Sequence, residues 1–167
     1  MVRLKEIPHQ TRWLIASHVL TRLVVGLGSG GEGDATIALE ERMYDIMAEE
    51  IRVLADRYAM PREHAADLVS TLGALSVILF GPDFETRFIE GYPEEGVIRL
   101  LACAMFREES AHGIPPEEVN RVCTSYVQHA IGALNPEFTV HITKARCRDD
   151  GFCEMIIARK GAAVHNY

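Results

Sequence analysis

The chain has 167 residues, 48% of them hydrophobic and 25% charged, with a formal net charge of −7. That is about one domain, long enough to bury a core without staples. The acidic balance leaves no global basic footprint for nucleic acid and argues against an anionic membrane surface as partner.

The first apolar stretch, Trp13 to Gly28, is interrupted by His18 and Arg22. It falls short of the ~20 residues that a membrane span needs. Glu6 precedes it and no small-x-small cleavage site ends it, so it does not read as a secretory leader either. The expectation is a soluble, cytoplasmic protein with no membrane association. There, four cysteines favour metal binding, reactivity or burial over disulfides.

Taken in order, the chain first predicts a helix over 9–25, with Trp13, Ala16, Leu20, Leu23 and Val24 at helical spacing. "GLGSGGEGD" (26–34) then breaks it. Gly26, Gly28 and Gly31 spell G-x-G-x-x-G, but the dinucleotide fingerprint needs a preceding strand, and a helix precedes it here. There is no G-K-[ST] either, so the segment reads as a linker between helices, or as a flap over a pocket. Asp34 is placed to cap a second helix over 35–60, with Ile37, Met43, Ile46, Met47, Ile51 and Leu54 as its apolar stripe. Pro61 closes that helix and opens a third, which Gly81 ends. The third helix is apolar around much of its circumference from Leu68 to Phe80, which predicts a central position.

The period then changes. Extended runs at 84–91 and 96–106 flank "YPEEG" and read as a hairpin. A helix opens at Pro115 or Pro116 with acidic residues in its first turn and stops at Asn135-Pro136. "FTVHITKAR" and "FCEMIIARK" follow as two strands around "DDG". Helices, hairpin, helix, hairpin predict an α+β fold, with a small antiparallel sheet covered by helices on one face. The chain reads as a single domain, 1–167, with a helical half over 1–81 and a hairpin-helix-hairpin unit over 82–160.

If Asp149-Asp150-Gly151 is a three-residue loop with Gly151 left-handed, Cys147 stands opposite Cys153 and Arg146 opposite Glu154. Cross-strand partners have Cβ atoms ~4.5–5.5 Å apart, so the two thiolates can share a tetrahedral metal. A disulfide, which wants about 3.8 Å, fits less well. Cys123 on the preceding helix and Cys103 on the other hairpin complete a set of four cysteine ligands. With three cysteines, His112, His129, Glu154 or water could serve as the fourth ligand. Packing alone is the alternative for all four thiols. Zinc is the first expectation, and an iron–sulfur cluster such as [4Fe-4S] is the second.

Residues 79–159 resemble the 4-vinyl-reductase-type ligand-binding domain. "ARCRDDGFCEMII" is similar to its closing hairpin and "VCTSYVQHAIGALNP" to its cysteine-bearing helix. "LFGPDFETRFIEGYPEEGVIRLLACAMF" is similar to the subgroup named for L-2-amino-thiazoline-4-carboxylic acid hydrolase. The resemblance implies an α+β fold around an apolar pocket, small-molecule sensing or carriage, and often a homodimer. In phenol-sensing relatives it also implies a structural zinc, held by one helix cysteine, two hairpin cysteines and a glutamate. The cysteines correspond to Cys123, Cys147 and Cys153. The glutamate position is Lys144, which leaves Cys103 as the expected fourth ligand.

Tyr126 and His129 share a helix face with Cys123 and, with Trp13, Phe84 and Phe88, are the candidate pocket residues. For each aromatic, core packing is the competing explanation. His112, His129, His141, Glu85 and Glu90 are candidate acid–base groups, yet they form no recognisable dyad, and no nucleophile elbow or H-E-x-x-H is present. The leading expectation is a metal-pinned module that binds a small apolar or heterocyclic molecule and signals through a protein partner. The alternatives are a hydrolase opening a cyclic amidine C–N bond, as in a 2-amino-thiazoline-4-carboxylate, and an iron–sulfur redox protein.

Overall fold

A helix that is apolar on nearly every side must be covered from several directions, and the third helix is. The structure is a computed structural model that describes residues 8–28, 34–81, 87–91, 94–101 and 113–162. In chain order the elements are α1 (His9–Gly28), α2 (Asp34–Arg57), α3 (Ala65–Phe80), β1 (Arg87–Gly91), β2 (Glu95–Leu100), α4 (Pro116–Leu134), β3 (Phe138–Lys144) and β4 (Cys153–Arg159). The architecture is α+β, as the order of periods predicts. α3 packs on β1, β2 and β4 on one side and on α1 and α4 on others.

The sheet order is β1-β2-β4-β3, antiparallel throughout. The two hairpins join through their second strands, so that Ile98 faces Met155 and Leu100 faces Cys153. β4 is therefore interior and is buried along its whole length apart from Arg159. Leu68, Leu72, Leu75 and Phe80 of α3 meet Ile98, Leu100, Met155 and Ile157 of the sheet, and Tyr126 and Ile131 of α4 close the core. Each such aliphatic side chain contributes about 1.5–3 kcal/mol by leaving water.

One glycine sets how closely helix and sheet approach. A Cβ at Gly96 would stand 2.7 Å from Val69 Cγ2 and 3.0 Å from the Ala65 carbonyl oxygen. α3 also has well-marked ends. The His64 N–H donates to Asp67 Oδ2 (3.0 Å), and the Thr71 hydroxyl donates to the Pro61 carbonyl (2.6 Å). At its far end Gly81, at φ +90°, returns its N–H to the Val77 carbonyl at 2.9 Å. The Asn135 side chain, just past α4, donates to the Arg62 carbonyl at 2.9 Å and ties that end to the approach to α3.

Several expectations are corrected. α2 ends at Arg57 rather than Met60, because Ala59 turns left-handed (φ +47°) and the Met60 N–H returns to the Ala55 carbonyl at 2.9 Å. α3 starts at Ala65, four residues after Pro61. The α2 stripe is rotated. Ile37 and Ile46 are exposed, while Glu40, Tyr44, Ala48 and Ala55 are buried beside Met47 and Ile51. Glu40 can turn inward because the Tyr44 hydroxyl and the Arg121 guanidinium both donate to it. α1 is rotated too and runs on to Gly28. It buries Ser17, Thr21 and Val24 and leaves Leu23 exposed. Residues 29–33 of the glycine-rich stretch lie outside the described residues, as do the first residues of the first predicted strand and the end of the second.

Two glycines make a controlled comparison. Gly96→Ala forces an overpacked contact and is expected to cost about 1–3 kcal/mol. Gly132→Ala, on α4 with nothing within 4 Å of the added Cβ, is expected to gain up to about 1 kcal/mol from helix propensity. Urea unfolding of the two variants beside the parent chain checks both signs.

Candidate functional site

The thiol-bearing hairpin does not close in the predicted register. β3 pairs with β4 through Ile142 opposite Met155, and then, past an irregularity at Thr143, through Lys144 opposite Glu154. The chain next winds into a 3-10 turn at Arg146–Arg148. The Ala145 carbonyl accepts from the N–H of Arg148 (2.8 Å), and the Ala145 N–H donates to Asp150 Oδ2 (2.7 Å). The left-handed residue is Asp149 (φ +66°), not Gly151. Asp is among the few residues that take this conformation with little strain. The Asp150 carboxylate holding Ala145 is what closes the turn early. Cys147 therefore sits within the turn, and Cys153 starts β4 opposite Leu100, not opposite Cys147.

One thiol lies on each of α4, the 3-10 turn and β4. Cys153 is buried, and its Sγ accepts the Arg146 N–H at 3.3 Å. Cys123, half-buried on α4, packs against the same core, and α4 lies against the 3-10 turn that carries Cys147. None of the three is in a disulfide. Burial pushes the Cys153 thiol up, against the opposing pull of the Arg146 N–H and the Arg146 and Arg148 charges. It is consequently a protonated thiol at neutral pH. Among the described residues no group of three His, Cys, Asp or Glu side chains stands close enough to hold a metal ion. The donor set as described is thus incomplete for zinc or for a cluster. Cys103 and His112 lie outside the described residues.

Behind the turn stands a buried ion pair. Glu154 is 1% exposed, and its carboxylate accepts from Arg99 Nε (2.6 Å) and the Thr143 hydroxyl (2.8 Å). Phe152 lies under two cations, the Arg99 guanidinium at 5.1 Å and the Lys144 ammonium at 4.7 Å from its ring centre. Arg146, the expected partner of Glu154, instead donates to the Leu101 carbonyl. Burial works to raise the Glu154 carboxyl, but the Arg99 and Thr143 hydrogen bonds and the Arg99 and Lys144 charges outweigh it and hold it below its ordinary value.

Between α3, α4 and the sheet lies a cavity of about 20 Å³, lined by Leu72, Gly73, Ser76, Ile98, Leu100, Cys123, Tyr126, Val127 and Met155. As it stands it has room for about one water. Its walls are apolar apart from the Cys123 thiol and one polar pair, Ser76 Oγ and Tyr126 Oη at 3.1 Å. The Tyr126 ring meets Phe80 edge-on at 5.0 Å. Burial raises the Tyr126 phenol well above its ordinary value, with the Ser76 hydrogen bond acting against it, so the hydroxyl stays neutral.

Of the candidate pocket residues, Tyr126 lines this cavity. His129 lies on the α2 side of α4. Its Nδ1 is 2.8 Å from the Ser125 carbonyl, its ring stacks on Tyr44 at 5.5 Å, and its Nε2 is 3.4 Å from Glu41 Oε2. Trp13 sits at the seam of α1 and α3, donating from Nε1 to the Ile78 carbonyl at 2.9 Å. Phe84, Glu85 and the side chains of Phe88 and Glu90 lie outside the described residues, and His141 is exposed on β3. Sequence reasoning missed Gly73, Ser76, Leu100 and Met155. The signal was present for two of them, since a glycine and a serine interrupt an otherwise apolar helix at positions three apart.

No protein-family model matches the chain, and no curated protein matches it. Among the described residues no helix is long and apolar enough to cross a membrane.

The Glu154 pair fixes a pH dependence. Because the folded carboxyl titrates below the unfolded value of ~4.3, the unfolded chain takes up the proton first as pH falls. The stabilisation is complete above about pH 5 and is lost as pH drops through the folded pKa. Glu154→Gln is expected to cost about 2–3 kcal/mol near pH 7, and the gap from the parent should shrink progressively as the pH is taken down from about 5 through the lowered folded pKa. Denaturant titrations at a series of pH values check this. A gap that stays constant with pH would contradict the ion-pair assignment.

Proposed function

We propose that the chain is a small-molecule-binding module, a sensor or carrier. Its ligand would be an apolar or heterocyclic molecule taken up between α3, α4 and the sheet. One observation carries the reading. The cavity there has apolar walls and a single convergent polar pair, Ser76 and Tyr126. Such a site suits a ligand with one hydrogen-bonding group on a flat apolar body.

A ligand must spread the walls, and the lining favours that. Gly73 leaves one wall without a side chain, although a glycine in a helix interior costs about 0.5–1 kcal/mol relative to alanine. Met155 is unbranched and adapts its shape readily. The polar groups of the lining favour binding over hydrolysis. A neutral phenol, a serine hydroxyl and one thiol can recognise a polar group, whereas opening a thiazoline requires a base poised near the working pH.

The proposal keeps the resemblance to the 4-vinyl-reductase-type domain and to the thiazoline-carboxylate hydrolase-like subgroup. On the same reading zinc would be a structural pin that draws Cys123, Cys147 and Cys153 together with Cys103 as fourth ligand, since the three described thiols do not stand within reach of one ion as placed. The Arg146 N–H donated to Cys153 supports this, since such a bond steadies a thiolate once a metal has displaced its proton. The module would act in the cytoplasm as a homodimer and pass its signal to a protein partner.

Two measurements test the two parts separately. Titration calorimetry with aromatic and heterocyclic fragments is expected to give saturable binding that Tyr126→Phe weakens about tenfold, the worth of one buried hydrogen bond. Fragment affinities indifferent to that change would overturn the pocket. Elemental analysis of protein purified without oxygen is expected to give about one zinc per chain. Absence of zinc would return the thiols to packing and leave the pocket standing.

A further inference from the structure

α1 is amphipathic in the wrong sense for a helix whose outer face meets only water. Its inner face carries Ser17 and Thr21, whose hydroxyls are spent on the carbonyls of Leu14 (3.0 Å) and Ser17 (2.9 Å). Its outer face carries Ile15, Val19 and Leu23, at intervals of four residues and 54%, 52% and 56% exposed. α2 repeats the pattern alongside, with Leu39 at 53% and Ile46 at 56% exposed. Leu23, Leu39 and Ile46 are walls of one groove between the two helices, with a volume of about 330 Å³ and Leu20 and Met43 at its base. Isolated exposed leucines need no explanation, but a contiguous apolar face does.

We propose that this face docks on the same face of a second copy of the chain, α1 of each copy lying along α2 of the other. Charge selects that occupant. The only charged side chains of α1 are Arg12 and Arg22, both basic. α2 carries seven acidic and three basic residues, and beside the groove Asp45, Glu49 and Glu50 outnumber Arg42 around a shallow depression that Ile46 also lines. A face with one basic and one acidic helix is its own complement under a twofold axis, the symmetry of most homodimers.

The size fits as well. Twenty residues of helix are about 30 Å long and two packed helices about 20 Å wide. That footprint, on the order of 600 Å², approaches the ~800 Å² that each partner contributes to a standard interface. The inference gives the dimer of the proposed module its surface, and it rests on that reading for the dimer but not for the ligand.

Sedimentation velocity of the full chain tests it, with Val19→Glu and Leu39→Glu as exposed-site variants. The parent should be a dimer at micromolar concentration. Each variant should be monomeric, its dissociation constant raised at least a hundredfold or so, since twofold symmetry buries every introduced charge twice. Thermal unfolding should show both variants folded. A parent that stays monomeric at about 100 µM overturns the proposal, as does a dimer that both variants leave intact. A monomer that instead sediments with phosphatidylcholine–phosphatidylglycerol vesicles overturns it in favour of a lipid surface. Fragment titrations on the Val19→Glu monomer keep the two readings distinguishable. A dimeric parent that, like the monomeric variant, binds no fragment would sink the ligand reading alone, and a monomeric parent that binds fragments would sink this one.

Discussion

The seating of α3 on the sheet at Gly96 is the contact on which the rest of the fold depends. With Val69 and the Ala65 carbonyl inside the space that any side chain would fill, the start of α3 can press on β2 only because residue 96 has no Cβ. The next positions of β2 on that face, Ile98 and Leu100, then fall under the middle of α3. Their partners on β4, Met155 and Cys153, complete the floor. A gap opens further along the same helix, where Gly73 and Ser76 leave it thin. Tight packing at one end and a cavity at the other are two results of one helix placement, since packed interiors transmit such constraints instead of absorbing them.

α4 is held in place from its other side. Glu40 of α2, 5% exposed, accepts from the Tyr44 hydroxyl and from the Arg121 guanidinium. Burial and Glu40 together push the Tyr44 phenol up, so that hydroxyl remains a donor. A buried carboxylate with two donors is costly to disturb, and here it fixes α2 against the first half of α4. Cys123 and Tyr126 follow Arg121 within the next two turns of α4, and both line the cavity. The polar device on the outside of α4 thus positions the thiol and the phenol on its inside.

Much of the fold could be read from periodicity, and the errors have a common physical cause. The central place of α3, the two hairpins and the proline start of α4 follow from patterns that no tertiary contact reverses. The faces of α1 and α2 were misjudged because hydrophobic spacing assumes that apolar residues turn inward. Ser17 and Thr21 turn inward because their hydroxyls bond carbonyls of their own helix, Glu40 because Tyr44 and the distant Arg121 donate to it, and aliphatic residues are left facing out. The hairpin register failed on the turn, where glycine is the cheap choice for a left-handed residue but Asp149 takes the role while the Asp150 carboxylate holds Ala145. The cysteines could be found by counting and Tyr126 by its spacing from Cys123. The floor of the cavity could not, because Leu100 and Met155 come together only through the pairing of two hairpins distant in sequence.

The most direct test of a ligand cavity is methyl NMR of the chain titrated with small aromatic fragments. Shifts are expected at the methyl groups of Leu72, Ile98, Leu100, Val127 and Met155, which come from four elements and all line this space. Ile15 and Val19, on the far face of α1, should stay unmoved at the same concentrations. Shifts confined to α1 and α2, or none up to millimolar fragment, would contradict the binding module and leave the gap between α3, α4 and the sheet as a packing defect.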